Sequence, residues 1–219
     1  MVGMRLGILA LQGAVEPHRE KLKGMGAHTV NIRNPEELQG CLGLIIPGGE
    51  STTFLRLIHA NNMREPILTF AKSKPVWGVC AGTNVMAAQV EDPAQESFGM
   101  VPIRVRRNGY GRQNESFISS LELHLPGAPP ILQEGVFIRA PQVVAWENDV
   151  TLLAKYEDQP VALQYGHHLV TTFHPELSAS ATMHRYFLSL CQGGEASREV
   201  LKERCQVSVK TKIINKPER

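Results

Sequence analysis

Short apolar runs rich in Ile, Leu and Val alternate along the chain with segments whose apolar residues recur at helical spacing. Arg5–Leu11 predicts a buried strand, followed by a helix over Val15–Met25 with Pro17 in its first turn and Gly24 and Gly26 at its end. His28–Ile32 predicts a second strand, Asn34-Pro35-Glu36-Glu37 a capped helical turn, and Leu42–Ile46 a third strand stopped by Pro47-Gly48-Gly49. Ser51–Ala60 and Arg64–Lys72 read as helices, Val76–Val79 as a fourth strand and Gly82–Val90 as the helix behind it. Strands that are apolar on both faces, separated by helices, imply a parallel sheet covered on both sides.

The second half changes character. Phe98–Val105, Phe117–Leu125, Val136–Ile138, Val150–Tyr156, Val161–Gln164 and Leu169–Phe173 are strand-like with few long helices between them, and Met183–Leu190 closes the fold as a helix. The expected class is therefore α/β. It is a single three-layer domain with a mostly parallel central sheet flanked by helices, and additional antiparallel strands in the second half. No internal repeat or long linker divides the chain. Gly193-Gly194 marks the end of the compact region, so residues 1–191 are expected to form the domain and 192–219 a flexible basic tail.

Composition narrows the picture. A length of 219 residues, 42% apolar and 20% charged, suits one globular domain. No apolar run is long enough to cross a bilayer, and Leu6–Leu11 runs into Gln12-Gly13 without a cleavage site, as a first strand does. Residues 198–219 hold seven Lys/Arg and three Glu, a balance of +4, which leaves the rest near −2 against a total of +2. A mildly acidic body with a solvated basic tail does not read as a nucleic-acid binder. Within that tail Val207–Ile213 alternates like a strand, with no role assigned. Cys41, Cys80, Cys191 and Cys205 are irregularly spaced and suggest reduced thiols in a cytoplasmic setting.

The most informative stretch is Val76-Trp77-Gly78-Val79-Cys80-Ala81-Gly82. A strand ends, a cysteine sits among small residues, and a helix begins: the elbow that lifts a nucleophile above a sheet. The helix N-terminus favours a thiolate. Thr172-Phe173-His174-Pro175-Glu176 supplies a proton donor for the leaving group, with Glu176 placed to hold one ring nitrogen of His174 and turn the other to Cys80. Ile45-Ile46-Pro47-Gly48-Gly49-Glu50-Ser51-Thr52 is a strand, a Gly-Gly turn and a helix start with Ser51 as the expected cap. It lacks the Gly-Lys-Ser/Thr of a phosphate loop. Paired glycines free the peptide between them to rotate, so the Gly49 N–H, beside that of Ala81, is a candidate oxyanion donor. His167 and His168 lack metal-ligand spacing. They and His18, His28, His59, His124 and His184 read as surface or packing residues, and no metal site is expected.

Together these elements resemble the class I (triad) glutamine amidotransferases, and most closely the branch that serves pyridoxal 5′-phosphate synthesis. The likeness is carried by Leu11-Gln12-Gly13 with His18, Ile46–Thr53, Lys74–Gly78 with Cys80-Ala81-Gly82, Arg107-Asn108 and Gly111-Arg112-Gln113. Ser116-Phe117, Phe137-Ile138-Arg139-Ala140-Pro141 and Phe173-His174-Pro175-Glu176-Leu177 complete it, over roughly residues 4–190. The resemblance implies a glutamine pocket lined by Gly49, Glu50, Ser51, Arg107, Ile138 and Arg139. Arg107 or Arg139 would pair with the substrate carboxylate and Glu50 would help hold its ammonium. It also implies a (β/α)-barrel pyridoxal 5′-phosphate synthase subunit as partner in a large hetero-oligomer. No cofactor is expected, because pyridoxal phosphate would be the product of the complex.

One departure stands at a sensitive place. Thr83-Asn84 follow Cys80-Ala81-Gly82 where the family carries two bulky apolar residues. In the first turn of the elbow helix these polar groups either cap exposed N–H groups or need buried partners. The expected activity is hydrolysis of L-glutamine by covalent catalysis through Cys80, His174 and Glu176. Rival readings are the glutaminase of histidine biosynthesis, a catalytically silent docking homologue, and a small cysteine hydrolase or stress protein on the same elbow.

Overall fold

The computed structural model describes residues 4–107, 109 and 116–193 of the chain. Asn108, Gly111-Arg112-Gln113, Cys205, and the tail after Gly193 with its Val207–Ile213 stretch lie outside the described residues.

The first half forms β1 (Arg5–Leu9), α1 (Val15–Lys23), β2 (His28–Ile32), β3 (Leu44–Ile46), α2 (Ser51–Ala60), α3 (Arg64–Ala71) and β4 (Val76–Val79). After it come α4 (Ala81–Met86), β5 (Ala87–Glu91), β6 (Val101–Arg106), β7 (Phe117–Leu123), β8 (Ile131–Phe137) and β9 (Gln142–Trp146). The chain continues through β10 (Thr151–Tyr156), β11 (Gln159–Tyr165), β12 (His168–Thr171) and α5 (Thr182–Cys191). The central sheet has seven strands in the order β10-β11-β12-β4-β3-β1-β2. From β2 to β12 all neighbours are parallel; β11 and β10 are added antiparallel at one edge. A three-stranded sheet β5-β6-β9 and the hairpin β7-β8 supply the rest. The expected class is therefore the observed one.

Strand alternation divides the interior into two cores, one on each face of the sheet. Leu44, Ile46, Val76 and Val170 face one core with Phe54 and Ile58 of α2 and Ile67 of α3. Ile45, Trp77, Val79 and Leu169 face the other with Leu22 of α1, Met183 and Phe187 of α5, and Leu121 and Phe137 of the hairpin. Asn34 and Glu37 form the reciprocal capping box at the predicted turn.

Two local readings are corrected and one strand was missed. Gly82–Val90 is not one helix: α4 ends at Met86, and Ala87 turns to extended backbone and pairs with Val101 of β6. All six residues of α4 are buried, so tertiary packing fixes its length, and strand pairing takes over beyond it. Val136–Ile138 is the end of a longer strand, β8, in which Gly135 leaves room for Leu121 opposite. Gln142–Trp146 was not anticipated; it pairs with β6 and buries only Val143 completely, so its apolar signal is weak.

Candidate active site

The elbow is built by two close backbone approaches. A β-carbon on Gly78 would lie 2.6 Å from Gly82 O, and one on Gly82 would lie 2.1 Å from Ile46 O. Both positions therefore require glycine. Between them Cys80 takes φ +50° and ψ −103°, a conformation that costs a non-glycine residue free energy and is held by its surroundings. Cys80 N donates to Thr171 O at 2.7 Å, and Cys80 O accepts from Thr83 N at 3.0 Å. These bonds fix the turn and leave the thiol, 3.8 Å from Ile138 O, at the head of α4.

Opposite, the chain leaves β12 and reaches His174, whose backbone N–H donates to Val136 O at 2.8 Å. Pro175–Leu177 forms one turn of 3₁₀ helix that brings Glu176 back beside the ring, so that His174 Nδ1 and Glu176 Oε1 are 2.8 Å apart. His174 and Glu176 are both buried. Burial works against charge on His174, but the hydrogen bonds and negative charges of Cys80 and Glu176 overcome it and raise its pKa to about 10. The arrangement favours an imidazolium beside the Glu176 carboxylate.

The Gly48-Gly49 turn forms the third wall. Gly48 O accepts from Ala14 N at 3.0 Å, and Gln12 Nε2 donates to Glu50 O at 2.9 Å, so the loop after β1 braces it. The expected cap is corrected: Glu50, not Ser51, is the N-cap of α2, its carboxylate accepting from Thr52 N and Thr52 Oγ1. Ser51 is buried inside the first turn and donates to Gln95 Oε1 at 2.8 Å. The carboxylate reaches further than serine does, and its other partner is Arg107, whose Nη2 lies 2.9 Å away.

A cleft of about 300 Å³ opens between these walls. It gathers Gly49, Glu50, Ser51, Cys80, Ala81, Arg107, Ile138, Arg139 and His174, while Glu176 stands behind His174. Arg139 is exposed and has φ +45°. Gly13, Ala14, Gly48, Asn84, Pro141 and Leu177, which sequence reasoning did not assign to the pocket, complete the lining. Gly13 carried a signal, since it has φ +90° and a β-carbon there would meet Gly48 O at 2.2 Å.

Thr83 and Asn84 resolve differently. Thr83 is fully buried, and its hydroxyl lies 2.9 Å from Thr171 O and 3.2 Å from Gly78 O. It ties the elbow helix to the two strands beneath it. Asn84 lines the cleft, and its buried Oδ1 has no hydrogen-bond partner among the described residues. His18 and His184, read as surface or packing residues, are both wholly buried, and His18 stands against Glu176.

Known proteins resemble this chain in sequence and fold. The model of the SNO glutamine amidotransferase family matches residues 8–193. A pyridoxal 5′-phosphate synthase subunit PdxT of Koribacter versatilis is 44% identical over 196 residues, covering 90% of this chain and all of that protein. A second, from Thermotoga petrophila, is 40% identical and covers 85% of this chain and 99% of its own length. A crystal structure of a glutamine amidotransferase superposes with a TM-score of 0.79 at 38% identity, covering 85% of this chain and 98% of that one.

Proposed function

This chain belongs to the SNO glutamine amidotransferase family, and on that premise we propose that it is the glutaminase subunit of a pyridoxal 5′-phosphate synthase. It hydrolyses L-glutamine to L-glutamate and ammonia for vitamin B6 biosynthesis. The observation that carries the reading is the convergence of Cys80, the His174–Glu176 pair and the Arg107–Glu50 pair on one cleft.

In the mechanism, the Cys80 thiolate attacks the side-chain amide carbon of glutamine. The N–H groups of Gly49 and Ala81 hold the oxyanion that forms. His174 gives its proton to the amide nitrogen, the C–N bond breaks and ammonia leaves, with the glutamyl group joined to Cys80 as a thioester. His174 then takes a proton from water, which attacks the thioester and releases glutamate and the thiolate. Glu176 keeps the ring in register throughout. Arg107 or Arg139 pairs with the substrate carboxylate and Glu50 with its ammonium. The 2.9 Å ion pair between Arg107 and Glu50 orders both groups before substrate arrives.

Ammonia is useful only if it reaches an acceptor. We therefore assign as partner a (β/α)-barrel synthase subunit in a hetero-oligomer, with residues 1–191 as the glutaminase and 192–219 as a basic tail. A cytoplasmic setting is consistent with the free thiols of Cys41, Cys80 and Cys191.

The test is glutamate release from glutamine, measured with and without a cognate barrel synthase. Wild type is expected to be active, Cys80→Ala inactive but folded, and His174→Asn slower by roughly 10³-fold or more. Glu176→Gln is expected to lose less than His174→Asn, because the ring loses its orienting partner rather than vanishing. Turnover that survives Cys80→Ala would refute the assignment.

A further inference from the structure

We infer that His18 is a positioning residue for this reaction: backed by His184, it directs an N–H at the outer oxygen of Glu176 and holds that carboxylate against His174. The inference rests on the glutaminase reading above, since it concerns how Glu176 is kept in place.

Three elements far apart in sequence meet here. His18 comes from α1, Glu176 from the 3₁₀ turn after β12, and His184 from α5. Both histidines are 0% exposed and Glu176 is 4% exposed. His18 Nδ1 and His184 Nε2 are 2.9 Å apart, and His18 Nε2 lies 3.6 Å from Glu176 Oε2. Sealed from water, His18 Nε2 and Glu176 Oε2 thus face each other with no other hydrogen-bond partner among the described residues. Trp77 closes the site edge-on, with ring centroids 5.6 Å from His18 and 4.9 Å from His184. Its indole N–H is engaged with Thr171 Oγ1.

The contacts select one set of tautomers. A neutral His18 carries its proton on Nδ1 or Nε2. A proton on Nδ1 would point a bare Nε2 lone pair at the carboxylate, two negative ends face to face in a dry site. With the proton on Nε2, that N–H faces Glu176, and Nδ1 is free to accept from His184 Nε2–H. Glu176 is then approached by an N–H on each side: His174 at Oε1, at 2.8 Å, and His18 at Oε2. At 3.6 Å the second contact is electrostatic rather than a full hydrogen bond. It opposes rotation of the carboxylate, which would carry Oε1 away from His174.

Charge in the cluster is consistent with that assignment. Burial pushes His18 down to about 4; the charge of Glu176 opposes this and that of His174 adds to it. His184 lies well below its ordinary value, again chiefly through burial, with His18 and Lys21 adding to it. Both rings are thus neutral at pH 7. For Glu176, burial raises the pKa, but its contacts with His174 and His18, chiefly the hydrogen bond from His174, more than reverse it.

The experiment has two arms. In wild-type protein labelled with ¹⁵N-histidine, at pH 7 to 8, His18 and His184 are expected as neutral Nε2–H tautomers. A proton on His18 Nδ1, or an imidazolium there, overturns the inference, and this arm needs no variant to fold. In synthase-stimulated turnover, His18→Leu is expected to lower kcat by roughly 10- to 100-fold, the range seen when a partner that orients a metal-binding histidine is removed. KM should stay nearly unchanged. Because Glu176 then loses a stabilising N–H, its pKa rises and the acid limb of kcat moves to higher pH. His18→Gln, which keeps a donor, should restore most of the loss. A folded His18→Leu protein with wild-type kcat and acid limb, or His18→Gln as impaired as His18→Leu, would overturn it. Failure of the glutaminase reading would appear elsewhere, as turnover surviving Cys80→Ala.

Discussion

Gly48 lies against the imidazole of His174 so closely that a β-carbon there would stand 2.3 Å from Cε1 and 2.9 Å from Nδ1. The second atom is the one that faces Glu176. Gly48→Ala should therefore push the ring off its carboxylate rather than unfold the protein. A displacement of about 1 Å at a reacting group is worth on the order of 10² in rate. The expected result is a kcat lower by about that factor, with a far-UV circular dichroism spectrum like wild type. A Gly48→Ala protein with wild-type kcat would show that His174 does not need its present position.

Gly49 differs from its neighbour. Its β-carbon would meet the side-chain amide of Gln12 at 2.7 Å, a group able to move. The carbonyl of Gly48 is bonded to Ala14 N, and in a planar trans peptide the Gly49 N–H points the opposite way. Docking of a synthase against the loop after β1 would release that bond and let the peptide turn, a change only glycine allows without steric cost. Gly49→Ala is therefore expected to reduce synthase-stimulated turnover more than basal turnover. The missing donor is worth roughly 10²–10³ in rate. Equal wild-type rates with and without saturating synthase would sink this account.

Thr83 and Asn84 should respond in opposite senses to apolar replacement. Thr83→Val removes a hydroxyl engaged with Thr171 O and Gly78 O, a loss of about 1 kcal/mol. Thr171 O keeps its bond from Cys80 N, which limits the damage. Asn84→Leu removes a buried oxygen without a hydrogen-bond partner, so stability is expected to hold or rise. Denaturant midpoints at constant slope would measure both; a loss at Asn84 equal to that at Thr83 would contradict the assignment.

Acid should weaken the fold before its carboxylates titrate. His18 and His168 are pushed down to about 4, both chiefly by burial, and His184 well below its ordinary value. Each group is neutral in the folded protein and takes up a proton in the unfolded chain below 6.5. Their stabilisation is complete above 6.5 and is lost as pH falls from there toward 4, by about 1.4 kcal/mol per unit for each histidine. His174 has the opposite sign: raised to about 10, its contribution is full below 6.5 and is lost as pH rises through 10. Unfolding free energies from pH 7 to pH 4 should therefore fall steeply, and a flat profile would contradict the burial of these rings.

The elbow, the Gly-Gly turn and the His-Pro-Glu segment were legible because each is a local device: its residues lie within a few positions and its chemistry follows from spacing. The parallel half of the sheet was legible because β1, β3 and β4 are apolar on both faces, whereas β12, read among the antiparallel strands of the second half, pairs parallel to β4. Three features were not. The length of α4 depends on β6, some fifteen residues further on. The hold on the capping carboxylate of Glu50 depends on Arg107, 57 positions away. The approach of His18 to Glu176 spans 158 positions and leaves no periodic trace. Interactions between distant segments fix these features, and no window of sequence contains them.

Trp77 has a consequence of another kind. The chain holds two tryptophans, one fully buried against the His18–His184 pair and the other, Trp146, 43% exposed on a different sheet. Indole fluoresces at shorter wavelength in apolar surroundings than in water, so Trp77 is expected to emit to the blue of Trp146. Protonating the histidine pair or lifting α5 disturbs the emission of Trp77 and leaves that of Trp146 in place. The protein thus carries its own optical reporter, one ring away from the carboxylate that steadies His174.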